Sequence, residues 1–426
     1  MNSFSCYYAK KGGILLANEK AENRPDPKRR INVSDRIKNE NPYYIKVSDR
    51  YRAAGFLLLV LFAVFAAVML FRFGENITYD NLVYLARDFN TAIGTDKGSI
   101  SMVRFTEQEE MTFVPFRDGV ASAGSSDVFF IGPSGDVEFS YAENFTVPVL
   151  TAGEKYLLAY SPGGRNYSVY SSVARISSKE TGGEIVAADM SDTGAYTISF
   201  RTSSGKYDVE IYGDSFKRIM TVHKDKHVID TAISPDGRIV AIVSAVEGDL
   251  DVSAELYVVR AGDSEPLFRK ALPSSVPLVA EFTSAGNLLV IYDDCIELYN
   301  GSMELISSED LSGTPPACCG TSSSGIVICC RENALGTKNR IVSYNADGVK
   351  IYNELVASSV LEVAAPYPGS DSAGYVRTSS EIIKLIPEGK NESAAYSGDV
   401  IRMVDTPGGL LLCRNGTVSS AFAASD

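Results

Sequence analysis

A tight turn ending in glycine comes back eight times between residues 117 and 409, and its spacing limits the fold more than any other feature of the chain. The clearest copy is Ser234-Pro235-Asp236-Gly237-Arg238, with Ala232-Ile233 before it and the apolar run Ile239-Val240-Ala241-Ile242-Val243 after it. Proline presets φ at the second position of such a turn, and Asp-Gly supplies backbone that tolerates positive φ. Related turns end at Gly119, Gly153, Gly194, Gly286, Gly325, Gly374 and Gly409. Successive glycines lie 34, 41, 43, 49, 39, 49 and 35 residues apart. The average, about 41, matches the ~40–45 residues of a four-stranded propeller blade.

The second half of each unit repeats as well, as a strand, a turn and another strand. Val128-Phe129-Phe130-Ile131 is followed by Gly135-Asp136-Val137-Glu138-Phe139, and Cys295–Tyr299 by Met303–Ile306. Ile341–Tyr344, Asn345-Ala346-Asp347-Gly348 and Val349–Tyr352 do the same. Many short strands between turn signals define an all-β chain, and the repeat makes it a β-propeller of eight four-stranded blades. Seven is the alternative count if one weakly patterned unit is an insertion. The last unit, from Asp399 to about Ala424, has room for three strands. Ser99–Phe105, from the start of the domain, could supply the fourth and remove the two free edges of an open ring.

Ahead of the repeat, Ala53–Phe71 is a run of nineteen uncharged, mostly apolar residues, enough for a helix of roughly 28 Å against a hydrocarbon core of ~30 Å. A cleaved signal peptide would have a shorter core nearer the N-terminus and a small-x-small exit. This run starts after 52 residues and leaves through Met69-Leu70-Phe71-Arg72-Phe73, so it reads as an uncleaved anchor. Residues 1–52 hold 12 Lys+Arg and 6 Asp+Glu, whereas residues 74–426 hold 27 and 47. Basic residues beside a span stay on the cytoplasmic side, which predicts a cell-membrane protein with the N-terminus inside and the acidic domain outside.

Four segments follow: a disordered basic arm over 1–52, a transmembrane helix over 53–73, a juxtamembrane stalk helix over 74–96 and the propeller over 97–426. The stalk is drawn from helical spacing of the apolar residues at 82, 85, 86 and 89. The arm carries Lys28-Arg29-Arg30 and three prolines and has little apolar surface to bury. Gly13–Ala17 and Pro42–Ile45 are its two places where a partner finds apolar purchase.

On the strength of Ser234-Pro235-Asp236-Gly237-Arg238 and its degenerate copies, the region 97–426 resembles the WD40-like and quinoprotein-dehydrogenase-like propellers. With its single span the chain is similar to uncharacterised bacterial envelope proteins of that build. The resemblance implies architecture, not an activity. The chain contains no Trp, so it has neither a Trp-Asp signature nor the Trp-based blade motif of quinone enzymes, and no quinone or other cofactor is expected.

Residues that could carry chemistry are few or unfocused. His223 and His227 lie four apart and would share one face of a helix, but the segment joins two blades beside Lys224 and Lys226. It reads as a solvated loop, with no metal. Cys318-Cys319 and Cys329-Cys330 flank a hairpin around Ser323-Ser324-Gly325. Adjacent strand residues point to opposite faces, so at most one cysteine of each pair is expected to share a face with one of the other. One bridge there and thiols left free are both open: an oxidising compartment favours the first, and an anaerobic source the second. Cys295 and Cys413 read as core, and Cys6 stands alone in the arm. Asp293-Asp294 and the acidic loop Glu247–Asp251 read as solvated turns. A glycosidase would need two positioned carboxylates, and the sequence does not say which of 47 would meet.

The acidic balance argues against nucleic acid. The reading that needs no catalytic residue is a non-catalytic protein-interaction or scaffold domain at the cell envelope, its partner an envelope or membrane protein. The alternatives are a ligand-binding or hydrolytic propeller, with Asp, Glu, Tyr and Arg converging at its channel, and a transmembrane sensor acting through the arm.

Overall fold

The computed structural model describes residues 42–73, 100, 102–247, 252–311 and 313–422. The chain divides into two compact units, Met1–Ile77 and Thr78–Asp426. The described part of the first is one helix, α1 (Pro42–Phe73). Proline suits the first helical position because its missing N–H has no intrahelical partner there and its φ is already helical. Residues 42–52, expected in the unstructured arm, are therefore helical, continuous with the apolar run. The stretch Lys46–Val68 is long and apolar enough to cross a membrane. Its large side chains are exposed all round, Phe56 by 69% and Leu58 by 70%, a pattern that suits lipid better than water. The rest of the arm and the predicted stalk lie outside the described residues.

The second unit is a β-propeller of eight four-stranded antiparallel blades, the first seven of them meanders in sequence order. Blade 1 comprises β2 (Thr112–Phe116), β3 (Gly119–Ala123), β4 (Asp127–Ile131) and β5 (Val137–Ala142). Blades 2 to 7 follow at 149–180, 184–224, 227–272, 277–310, 316–356 and 360–395. Blade 8 is composite. Its β30 (Arg402–Thr406), β31 (Gly409–Arg414) and β32 (Thr417–Ser420) come from the end of the chain, and β1 (Met102–Arg104) comes from the start. β1 pairs antiparallel with β32, Met102 opposite Ser419 and Arg104 opposite Thr417, so the ring is closed by its first strand as the sequence suggests.

Side-chain alternation builds the packing between blades. In β4, Val128 and Phe130 pack toward blade 2 with Leu157 and Tyr170. Phe129 and Ile131 turn the other way, onto Leu411 and Val418 of blade 8. Both faces of a central strand are covered, which is why such strands read as unbroken apolar runs instead of alternating ones. Complete burial of a side chain such as Phe130 contributes about 2–3 kcal/mol.

Tyrosine does part of the work for which the chain has no tryptophan. The phenols of Tyr170, Tyr212 and Tyr299 donate to Glu143, Glu210 and Glu297. Each of these carboxylates also binds a base, Arg175, Arg218 and Lys270 in turn. Burying the ring while its hydroxyl meets a charged acceptor removes the cost of an unmade hydrogen bond.

Candidate functional site: the central channel

The first strand of every blade runs along the central axis. Its channel-side edge has no neighbouring strand, so its amides need other acceptors. Carboxylates from adjacent blades supply them. Asp189, on β10 (Glu184–Met190) of blade 3, accepts from the Ile233 amide of blade 4 at 2.8 Å and from the Thr151 hydroxyl of blade 2 at 2.8 Å. Asp230, on β14 (His227–Ile233), accepts from the Ala280 amide of blade 5 at 3.1 Å. Across the ring, Glu362 of blade 7 accepts from the Met403 amide of blade 8 at 2.9 Å. Asp405 of blade 8 accepts from the Tyr367 amide, in the link between the first two strands of blade 7, at 2.7 Å. These acids strap blades together.

The strands and turns enclose a cavity of about 760 Å³, to which all eight blades contribute. Asp189, Asp230 and Glu281, from three successive blades, line one side of it, and Arg402 lies among the residues of the other. Arg402 is committed in part to Glu362, its Nε 3.6 Å from that carboxylate. Glu281 has no hydrogen-bond donor among the described residues, and it lines the channel. Burial, and then the charges of Asp189 and Asp230, hold it well above the usual carboxylate range. Burial likewise raises Asp189 against the pull of its three hydrogen bonds. Asp230 is pushed up to about 7, by burial first and by the Asp189 charge as well, while the Ala280 and Thr231 amides pull it down. Low local dielectric penalises like charges held this close, so all three carboxyls hold their protons to higher pH than free carboxylates do.

The eight turns singled out in the sequence all lie between the first and second strands of their blades. Those ending at Gly119 and Gly325 give two-residue links: Arg117-Asp118 joins β2 to β3, and Ser323-Ser324 joins β22 (Pro316–Ser322) to β23 (Gly325–Arg331). Gly119 starts β3 where an added Cβ would stand 2.1 Å from the Ile131 carbonyl oxygen. Gly153, Gly194, Gly286, Gly374 and Gly409 occupy the same junction in blades 2, 3, 5, 7 and 8. In the turn of blade 4, Ser234 donates its hydroxyl to Asp236 at 2.6 Å and accepts the Ile239 amide at 2.9 Å. Pro235 lines the channel, and Gly237 takes φ 72°. Residues from the corresponding turns or adjoining strand ends of all blades reach the mouth of the cavity.

Other expectations change on contact with the structure. His223 and His227 are strand residues, not loop residues, the first at the end of β13 (Arg218–Lys224) and the second at the start of β14. Only Asp225 and Lys226 separate those strands, so there is no room for a loop. The imidazoles have different partners, Asp208 at 2.6 Å and the Tyr207 phenol at 2.8 Å. Among the described residues no group of three or more His, Cys, Asp or Glu side chains is placed to hold a metal ion. Asp293 and Asp294 are turn acceptors, for the Val276 amide at 2.7 Å and the Ser275 hydroxyl at 2.9 Å. Most of the acidic loop after Glu247 lies outside the described residues. The cysteine hairpin forms, but with more sharing than expected. Cys318 and Cys329 face blade 7 together, and Cys319 and Cys330 face blade 5 together.

The ring, its closure and its straps define a protein class by fold alone, an eight-bladed propeller carried behind a membrane-length helix. Within it, the chain belongs to a family of unknown function, DUF5711, whose description matches residues 95–367. Among solved structures it is similar to the C-terminal WD40 domain of Sif2, with a TM-score of 0.52 at 10% identity, covering 75% of this chain and 98% of that one. BamB from Moraxella catarrhalis aligns with a TM-score of 0.49 at 13% identity, over the same 75% and 98%. Sqt1 from Saccharomyces cerevisiae gives 0.49 at 9%, again over 75% and 98%. At such identities the likeness is one of fold. No curated protein matches the chain.

Proposed function

We propose that this protein is a non-catalytic scaffold of the cell envelope, held by α1 in the membrane with its N-terminus in the cytoplasm, and that the channel-mouth face of the propeller binds another envelope or membrane protein. The observation that carries the reading is the convergence of turns or adjoining strand ends from all eight blades on one mouth, since short, strand-anchored segments on a rigid ring present a fixed surface without a catalytic group. The channel carboxylates fit the same reading: Asp189, Asp230, Glu362 and Asp405 are occupied with inter-blade amides, so their positions follow from holding the ring. The basic flank of the helix supports the orientation.

In-cell crosslinking of tagged full-length protein, with the anchor alone as control, tests this. One or two envelope proteins recovered only when the propeller is present are the expected result; recovery no different from the anchor alone overturns it.

One observation favours a second reading, a ligand-binding or hydrolytic channel. Glu281 lines a cavity large enough for a small molecule and its carboxyl is held well above the usual carboxylate range by burial and by Asp189 and Asp230, and a carboxyl that keeps its proton to higher pH is what acid-assisted hydrolysis uses. Hydrolysis of glycan or peptide substrates that disappears in Glu281→Gln would establish it, and activity unchanged in that variant would remove it.

A further inference from the structure

We infer that Cys318 and Cys329 are a thiol pair built to close into a disulfide inside blade 6, with Cys318 as the sulfur that enters exchange. The inference needs no assumption about the partner or the channel. The two residues are register partners across β22 and β23. Directly opposed residues on antiparallel strands have Cα atoms about 4.5–5.5 Å apart, within the 4.4–6.8 Å that a disulfide spans. Both side chains point to the blade 7 side of the sheet, and their thiols are in hydrogen-bond contact.

The other two cysteines of the hairpin lack this geometry. Cys319 is opposite Ile328, and Cys330 is opposite Pro316. They share a face only on the diagonal, where Cα atoms lie about 7–8 Å apart, at or beyond what a bridge allows. Burial pushes both thiols up to about 11. Selectivity for one pair therefore comes from register.

The environment also separates the roles within the pair. Cys318 is half-buried, while Cys329 is completely enclosed. The Cys329 thiol and the Val363 amide both donate toward the Cys318 sulfur, and together they hold its thiol below the ordinary value despite burial. Cys329 is driven the other way, by that hydrogen bond and by burial. A thiolate forms first at Cys318, where an incoming reagent can reach it.

The oxidant is a disulfide, either a small-molecule disulfide or the active-site disulfide of an oxidoreductase. The Cys318 thiolate attacks one oxidant sulfur, forming a mixed disulfide and expelling the other as a thiolate, which takes up the proton Cys318 lost. Cys329 then gives up its proton, and its sulfur attacks Cys318 Sγ. The mixed disulfide breaks, and the second oxidant sulfur leaves with that proton. Two cysteine thiols lose two electrons, and one disulfide becomes two thiols.

The test uses full-length protein in detergent, in a Cys6→Ser background to remove the remote arm thiol. Samples are equilibrated with glutathione disulfide, then denatured, alkylated and weighed. The expected result is a loss of two alkylatable thiols per chain, retained in Cys319→Ser and in Cys330→Ser, and abolished in Cys318→Ser and in Cys329→Ser. All hairpin cysteines fall on one tryptic peptide, since no Lys or Arg lies between Lys270 and Arg331. A protease that cuts between 320 and 328 is therefore used in the otherwise native sequence, and fragmentation of the linked peptides between Cys318 and Cys319 and between Cys329 and Cys330 assigns the bridge even if a serine variant fails to fold. No loss of thiols in excess oxidant, or a bridge mapped to Cys319 or Cys330, overturns the inference.

Discussion

The side chain with the clearest pH signature is Asp230. Its carboxyl titrates at about 7 in the fold against 3.8 when free, so between those values the native chain keeps a proton that the unfolded chain has released. The Asp230 contribution to stability therefore falls as pH rises from about 4 to about 7 and levels off above. A displacement of that size is equivalent to about 4 kcal/mol at the limit. Urea unfolding of the wild type should show lower stability at pH 8 than at pH 5, and Asp230→Asn should flatten that slope; equal slopes would mean that the channel does not bury the group as described. Away from the axis, Tyr299→Phe leaves Glu297 short of one donor in a buried setting and should cost about 1–2 kcal/mol by the same measurement. Neither role was legible beforehand. The five channel acids described above are drawn from 47, and only the ring decides which of them meet. The tyrosine pairs did leave a signal, the i, i+2 spacing of Glu210 with Tyr212 and of Glu297 with Tyr299, which places acid and phenol on one face of a strand.

Turns and strands were the most readable level of the chain, because their information is local. A turn that needs positive φ selects glycine whatever surrounds it, and Gly237 adds a steric reason, since a Cβ there would meet the Ala195 Cβ at 2.6 Å. Gly237→Val should destabilise the propeller by about 1–3 kcal/mol, seen as a lower urea midpoint with an unchanged slope. The composite blade was readable for a related reason: a last unit one strand short requires a donor, and Ser99–Phe105 was the available segment. Removing Met102–Arg104 exposes the edge of β32, and the shortened protein is expected to self-associate in light scattering at concentrations where the intact one does not. Two elements were misread, both at junctions. The helix reaches back to Pro42 because nothing in the preceding turn stops it once the apolar run has nucleated it. The histidine segment is strand because blades 3 and 4 are joined by two residues.

At the scale of the whole molecule, the charge bias on either side of the apolar run gives the proposed orientation a direct check. Protease added outside intact cells should degrade the propeller and spare a tag placed before residue 42, and protection of the propeller would reverse the proposed topology. Fold class and repeat number were legible because a ring needs a whole number of similar units. Function was not, because a propeller places its specificity in surface side chains that have no period. The ring also orders events in time. β1 is made some three hundred residues before β32, yet β32 is the strand it pairs with. A nascent chain therefore carries its earliest strand unpaired through the making of every other blade, and only arrival of Thr417–Ser420 gives it a neighbour. A ribosome that stops short of Thr417 leaves that open edge on display, so the fold keeps its own record of whether translation was finished, and a protease or chaperone that recognises unpaired strands could read it.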